Sequence, residues 1–164
     1  MIETTEIKIL RTANTHEHFV FLTALLDQEL NARYGKSQSL YDKHNRIDPI
    51  DTAVIGYVGG APAACGCFKP FDFHTVEIKR MYVVQDLRRK GLSSKILQDL
   101  ENWSRELGYT RTVLETGKGQ PEALGLYRKN GYQTIENYGP YKDLENSICM
   151  EKSLIPQEGT SKPE

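Results

Sequence analysis

Apolar positions along this 164-residue chain change their spacing several times, and each change predicts an element. Ile7 to Leu10 alternates weakly, as a short strand would. Phe19, Leu22, Leu26 and Leu30 then recur at three- and four-residue steps, the spacing of one helix face, with Asn14 or Thr15 suited to cap its start and Tyr34-Gly35 its end. From Lys36 to Asp51 the pattern is polar and aperiodic, which predicts a loop with room for one helical turn. Two short apolar runs, Ala53 to Val58 and Ala63 to Phe68, flank Gly59-Gly60-Ala61-Pro62. That is a hairpin signal, because paired glycines supply the positive φ of a tight turn. Val76 to Val84 reads as a third strand; simple alternation puts Val76, Ile78, Arg80 and Tyr82 on one face and Glu77, Lys79, Met81 and Val83 on the other. The clearest helix follows, with Leu92, Ile96, Leu100, Trp103 and Leu107 as its apolar stripe and Gly108 at its end. Thr112 to Glu115 predicts a strand, Pro121 opens a helix carrying Ala123, Leu124 and Tyr127 and closed by Gly131, and a last strand falls near Ser147 to Met150. Strands that pair early and alternate with helices late predict an α/β (α+β) fold, a mixed sheet with helices on its faces. Residues 1–154 are expected to form one domain and 155–164 a disordered polar tail.

Composition narrows the function. Lys+Arg number 21 against 22 Asp+Glu, so the chain carries a formal charge of −1 and lacks the basic excess of a protein that coats nucleic acid. No apolar run approaches the roughly 18 residues of a membrane span, and Met1 to Arg11 has no signal-peptide core. Cys65, Cys67 and Cys149 are an odd number without an export signal, which predicts a reducing, cytoplasmic location. Cys65 and Cys67 share a strand face and read as buried hydrophobes rather than nucleophiles. His16, His18, His44 and His74 have no ligand spacing, so no metal is expected.

Charge is nonetheless concentrated at one place. Lys79, Arg80, Arg88, Arg89, Lys90 and Lys95 stand against the single acid Asp86, and Arg88-Arg89-Lys90-Gly91-Leu92-Ser93-Ser94 falls between a strand and the start of the best helix. A helix start has unpaired N–H groups and partial positive charge, which a phosphate satisfies together. Gly91 leaves room for the close approach, and Ser93 and Ser94 add hydroxyl donors. A solvated basic turn is the alternative. Two better-known phosphate motifs fail: Gly35-Lys36-Ser37 lacks the P-loop glycine, because Leu30 stands there, and Gly117-Lys118-Gly119 lacks the third glycine of a dinucleotide fingerprint, where Glu122 stands.

The stretch Val76-Glu77-Ile78-Lys79-Arg80-Met81-Tyr82-Val83 with Arg88-Arg89-Lys90-Gly91-Leu92-Ser93 resembles the acyl-CoA signature of the GNAT superfamily of N-acetyltransferases, a strand followed by Gln/Arg-x-x-Gly-x-Gly/Ala. Ser93 stands where Gly or Ala is usual. A second block, Gln120-Pro121-Glu122-Ala123 with Leu126-Tyr127-Arg128-Lys129-Asn130-Gly131-Tyr132, resembles the Asn-x-x-Ala-x-x-x-Tyr helix of that family, with Gln120 replacing Asn. The resemblance runs over about Ile7 to Lys152 and implies a mostly antiparallel sheet flanked by helices on both faces. It implies that acetyl-CoA is the co-substrate, its pantetheine arm along Met81, Tyr82 and Val83 and its pyrophosphate on the segment Arg88, Arg89, Lys90, Gly91, Leu92, Ser93 and Ser94, with Gln120 and Tyr127 nearby. Direct transfer to a primary amine of a small molecule or peptide is then expected. An alkylammonium has a pKa near 10.4, so a base must take its proton. Glu77, fourteen positions before Gly91, is the expected base, and Tyr127 the expected proton donor to the departing thiolate. Glu29, Arg33 and Tyr34, the loop Tyr138 to Tyr141, and Leu114 to Gly117 are candidates for the acceptor side. A homodimer is left open. The rival reading is a non-catalytic acetyl-CoA-binding or sensing domain.

Overall fold

The computed structural model describes residues 6–35 and 48–156, so most of the expected 36–51 loop and of the 155–164 tail lies outside the described residues. In chain order the elements are β1 (Ile7–Thr12), α1 (Glu17–Tyr34), β2 (Ala53–Val58), β3 (Ala61–Pro70), β4 (Thr75–Val83), α2 (Leu92–Glu106), β5 (Arg111–Gly117), α3 (Pro121–Lys129), β6 (Gln133–Ile135) and β7 (Ser147–Ser153). The strands form one sheet in the order β1-β2-β3-β4-β5-β7-β6. Only β4 and β5 run parallel, because α2 carries the chain back across the sheet between them.

Helices cover both faces. On one, Phe19 and Leu22 of α1 pack on Ile55, Cys65 and Cys67. On the other, Ile96, Leu97 and Leu100 of α2 and Tyr127 of α3 pack on Val54, Val76, Ile78, Leu114 and Met150. The sheet is two-sided because its strands alternate between these clusters. Each fully buried leucine or isoleucine contributes about 1.5–3 kcal/mol, so the α2 stripe anchors its face.

Several local expectations change. The α1 cap is His16, whose Nδ1 accepts from His18 N at 3.1 Å; Asn14 instead exchanges hydrogen bonds with Ile50. Leu107 lies beyond α2 and is 54% exposed, whereas Trp103 is half-buried, edge-on to Phe68 and beneath Arg11. β6 was not signalled by the sequence, since only three residues pair and none is buried.

The face assignment of β4 is corrected by a bulge. Cys65 pairs with Tyr82 but Cys67 pairs with Lys79, so Arg80 and Met81 together oppose Gly66. Arg80 takes up the extra residue at φ 62°, and its Nη2 is tied to Thr23 O and Asp27 Oδ1 of α1. Past the bulge the alternation flips: Met81 and Val83 join Val76 and Ile78 on the α2 face, and Tyr82 packs toward α1. Gly66 leaves room for this packing, since a Cβ would lie 2.6 Å from Met81 Sδ and 2.9 Å from Leu100 Cδ1 and displace both side chains.

β4 and β5 pair only from Thr75↔Arg111 to Ile78↔Leu114. Beyond that, β4 runs on through Val83 and β5 through Gly117 without pairing to each other. The sheet therefore opens into a wedge, with backbone N–H and C=O groups along its inner edges.

Candidate active site

The loop from β4 to α2 closes one side of the wedge. The N–H groups of residues 89–94 donate to nothing among the described residues; the first amide with a partner is that of Lys95, which reaches Gly91 O at 3.2 Å. Gly91 caps α2 without a side-chain bond. Arg89 and Gly91 both have positive φ, 67° and 84°, and alternation of this kind turns successive amides into an anion-binding concavity. Nothing lies within 4 Å of where a Cβ at Gly91 would sit. Backbone alone thus builds a positive cradle at the start of α2. Arg88 turns away from it. Its Nε donates to Val83 O at 2.9 Å and its two Nη atoms to Glu29 at 2.7 and 3.2 Å, with the Tyr82 ring beneath, so its guanidinium ties the cradle to β4 and α1.

The wedge opens into a cleft of about 690 Å³. Of the residues expected from the sequence, Glu77, Met81, Tyr82, Val83, Arg88, Arg89, Gly91, Leu92, Ser93, Ser94, Gln120 and Tyr127 all line it, while Lys90 stands exposed beside it. Ser94 Oγ also accepts from Asn130 at 3.1 Å, which fixes α3 against α2. Glu29, Arg33 and Tyr34 of α1 form the opposite wall.

At the vertex, where pairing stops, ionisable side chains collect. Glu77 is 5% exposed; its Oε2 accepts from Tyr138 Oη at 2.8 Å and its Oε1 faces Lys79 Nζ at 3.8 Å. Lys79 in turn reaches Tyr141 Oη at 3.4 Å, and burial holds its ammonium below the usual lysine range against the pull of Glu77. Glu77, expected as a base at the cleft, is therefore locked into a hydrogen-bonded pair. Glu115 differs. It is the residue after the last β4–β5 pair, it lines the cleft, and it accepts from Ser147 Oγ at 2.7 Å. Burial pushes its carboxyl up to about 7, against Ser147 and Lys79, which favour the carboxylate. Tyr127 also lines the cleft, with its ring edge-on to Tyr132, and burial, reinforced by Glu115, holds its hydroxyl firmly protonated.

The sequence flagged the Leu114 to Gly117 segment and the Tyr138 to Tyr141 loop without assigning contacts. The bonds Glu77–Tyr138 and Glu115–Ser147 join residues 61 and 32 positions apart, so no local pattern announces them. Gly117 and Gly119, which failed as a nucleotide motif, serve Tyr34 instead: a Cβ at Gly117 would run into its phenol, and one at Gly119 would crowd its ring.

This geometry belongs to a known family. The chain matches the description "Acetyltransferase (GNAT) family" over residues 16–132 and belongs to that family. It is therefore an acyl-CoA-dependent N-acyltransferase. It is 29% identical over 150 residues to the IAA acetyltransferase of Azospirillum brasilense, covering 90% of this chain and 98% of that protein. A crystal structure from Klebsiella pneumoniae, described as an acyl-CoA N-acyltransferase, superposes with a TM-score of 0.76 at 30% identity, covering 91% of this chain and 98% of that one. A GNAT family acetyltransferase from Elizabethkingia anophelis with acetyl-CoA bound shares the fold, with a TM-score of 0.66 at 19% identity and coverage of 92% and 99%. Among the described residues no helix is long and apolar enough to cross a membrane.

Proposed function

We propose that the wedge holds acetyl-CoA and that its acetyl group passes directly to a primary amine of a small molecule or peptide. The observation that carries this reading is the run of six consecutive free amides, residues 89–94, at the start of α2. A pyrophosphate satisfies those donors, and the inner edge of β4 along Met81, Tyr82 and Val83, unpaired with β5 though Val83 O takes Arg88 Nε, offers strand-like pairing to the pantetheine amides. The extended arm then delivers the thioester toward the vertex. The Elizabethkingia relative, with acetyl-CoA bound in the same fold, supports this reading.

The chemistry runs between two sites. Tyr127, held protonated, gives its proton to the departing thiolate as the C–S bond breaks. Gln120 caps the start of α3 and lines the same cleft. The amine enters past Glu29, Arg33 and Tyr34. Cys65 and Cys67 take no part: both are buried, and burial pushes the Cys67 thiol up to about 12. All three cysteines are free thiols, which supports a cytoplasmic location.

Calorimetry with coenzyme A tests the reading. Wild-type protein is expected to bind it. Gly91→Val, which adds a β-branched side chain at φ 84° on the open side of the cradle, is expected to weaken binding at least tenfold. Unchanged affinity in the variant would overturn the cradle assignment, and tight binding without thiol release from any amine would favour the non-catalytic rival.

A further inference from the structure

We infer that Glu115, rather than Glu77, is the group that takes the proton from the incoming ammonium. The inference rests on acetyl-CoA lying in this cleft and deepens that reading.

Position is the first argument. Glu115 follows Leu114, the last β5 residue paired with β4, so it sits at the point of the wedge toward which both inner edges lead. It lines the same cleft as Tyr127, and the two groups lie close enough for the Glu115 charge to act on the Tyr127 hydroxyl. Donor and acceptor of protons thus flank one space.

Availability is the second. A base needs a lone pair that the protein has not already taken. Glu77 has Tyr138 on one oxygen and Lys79 near the other, and only 5% of it is exposed. Glu115 carries one hydroxyl, from Ser147, on Oε2. Around it, Lys79 and Glu77 face it from β4, Tyr127 from α3, and Ser147 and Cys149 from β7, while Glu29, Arg33 and Tyr34 of α1 line the far wall. Among the described residues, Lys79 faces Glu77 at 3.8 Å and Arg33 is paired with Glu29 and Glu122. Among the described residues, the remaining negative charge at the vertex is that of Glu115, and an ammonium is the complement it draws in.

The third argument is proton affinity. Its carboxyl, raised to about 7, is poised to accept a proton near neutral pH, where an ordinary glutamate is too weak a base. The steps balance. Glu115 removes one proton from R–NH3+, the nitrogen bonds the thioester carbon, and the C–S bond breaks with Tyr127 protonating sulfur. The second nitrogen proton restores Tyr127, and Glu115 releases its own to solvent.

Two measurements test this. In protein labelled with 13C at the glutamate carboxyls, one NMR resonance should titrate near pH 7 and vanish in Glu115→Gln. With saturating acetyl-CoA and the primary alkylamine that releases CoA fastest from a panel, wild-type kcat/KM for the amine should fall tenfold per pH unit below about 7. Glu115→Gln should lower kcat about 10²–10³-fold and abolish that limb, with coenzyme A affinity unchanged. Glu77→Gln should keep the limb. The inference is overturned if Glu115 titrates with the ordinary carboxylates, or if Glu77→Gln removes the limb and Glu115→Gln retains it. Panel-wide silence despite coenzyme A binding would instead overturn the transfer reading itself. Failure of coenzyme A to bind would overturn the cleft.

Discussion

Glu101 and Glu115 are two carboxylates on the same side of the chain's middle, and the protein treats them in opposite ways. Glu101, on α2, is 2% exposed and closed on both oxygens: Lys152 Nζ lies at 2.8 Å and Tyr132 Oη donates at 2.9 Å, itself receiving a bond from Thr112. Glu115, on β5, has one hydroxyl and an open cleft. A buried charge is stable when its partners are complete and costly when they are not. The first arrangement fastens α2 to β5 and β7. The second keeps a carboxyl in a state that a substrate can complete.

That contrast can be broken by substitution. The largest expected effect is catalytic: Tyr127→Phe should lower kcat about 10²–10³-fold, roughly 3–4 kcal/mol of barrier, while coenzyme A still binds. Retained turnover, read by thiol release, would remove Tyr127 from the mechanism. Stability should then move in opposite directions at the two glutamates. Glu101→Gln loses the charge partner of Lys152 and should cost about 1–3 kcal/mol in denaturant unfolding at pH 7.

Glu115→Gln should stabilise, and the sign follows from linkage. Its folded-state pKa of about 7 lies above the unfolded 4.5, so the carboxyl's favourable contribution is complete below pH 4.5 and lost as pH rises through 7. The wild-type carboxylate therefore weakens the fold at pH 8. Removing it should gain roughly 3 kcal/mol there and less than about 1 kcal/mol at pH 5. A pH-independent effect, or a loss at pH 8, would show that Glu115 is an ordinary structural acid.

How much of this could be read from the sequence follows the kind of site each part is. The cradle is made by backbone at a strand–helix junction, and local signals report it: a basic run, Gly91, two serines and the onset of an apolar stripe. Tyr127 stood out through its helix block. The vertex is made by side chains from β4, β5, β7 and the loop before β7, and contacts of that range leave no periodicity. The bulge at Arg80 was hidden for a related reason. An inserted residue preserves the appearance of alternation while reversing which face each side chain meets, so simple alternation pairs Tyr82 with Val76 although it packs toward α1. The α1 cap is likewise set at long range: Asn14, a good cap by type, is engaged by Ile50 from 36 residues away, which leaves the cap to His16.

The central claim is that the free amides after Arg88 bind the nucleotide's phosphates and so aim the thioester at the vertex. It is tested most directly by 15N–1H spectra of the labelled protein titrated with coenzyme A. The account predicts that the amides of residues 89–94 shift together toward the strongly hydrogen-bonded range, in step with calorimetric saturation. Saturation that leaves those six amides unmoved would contradict it.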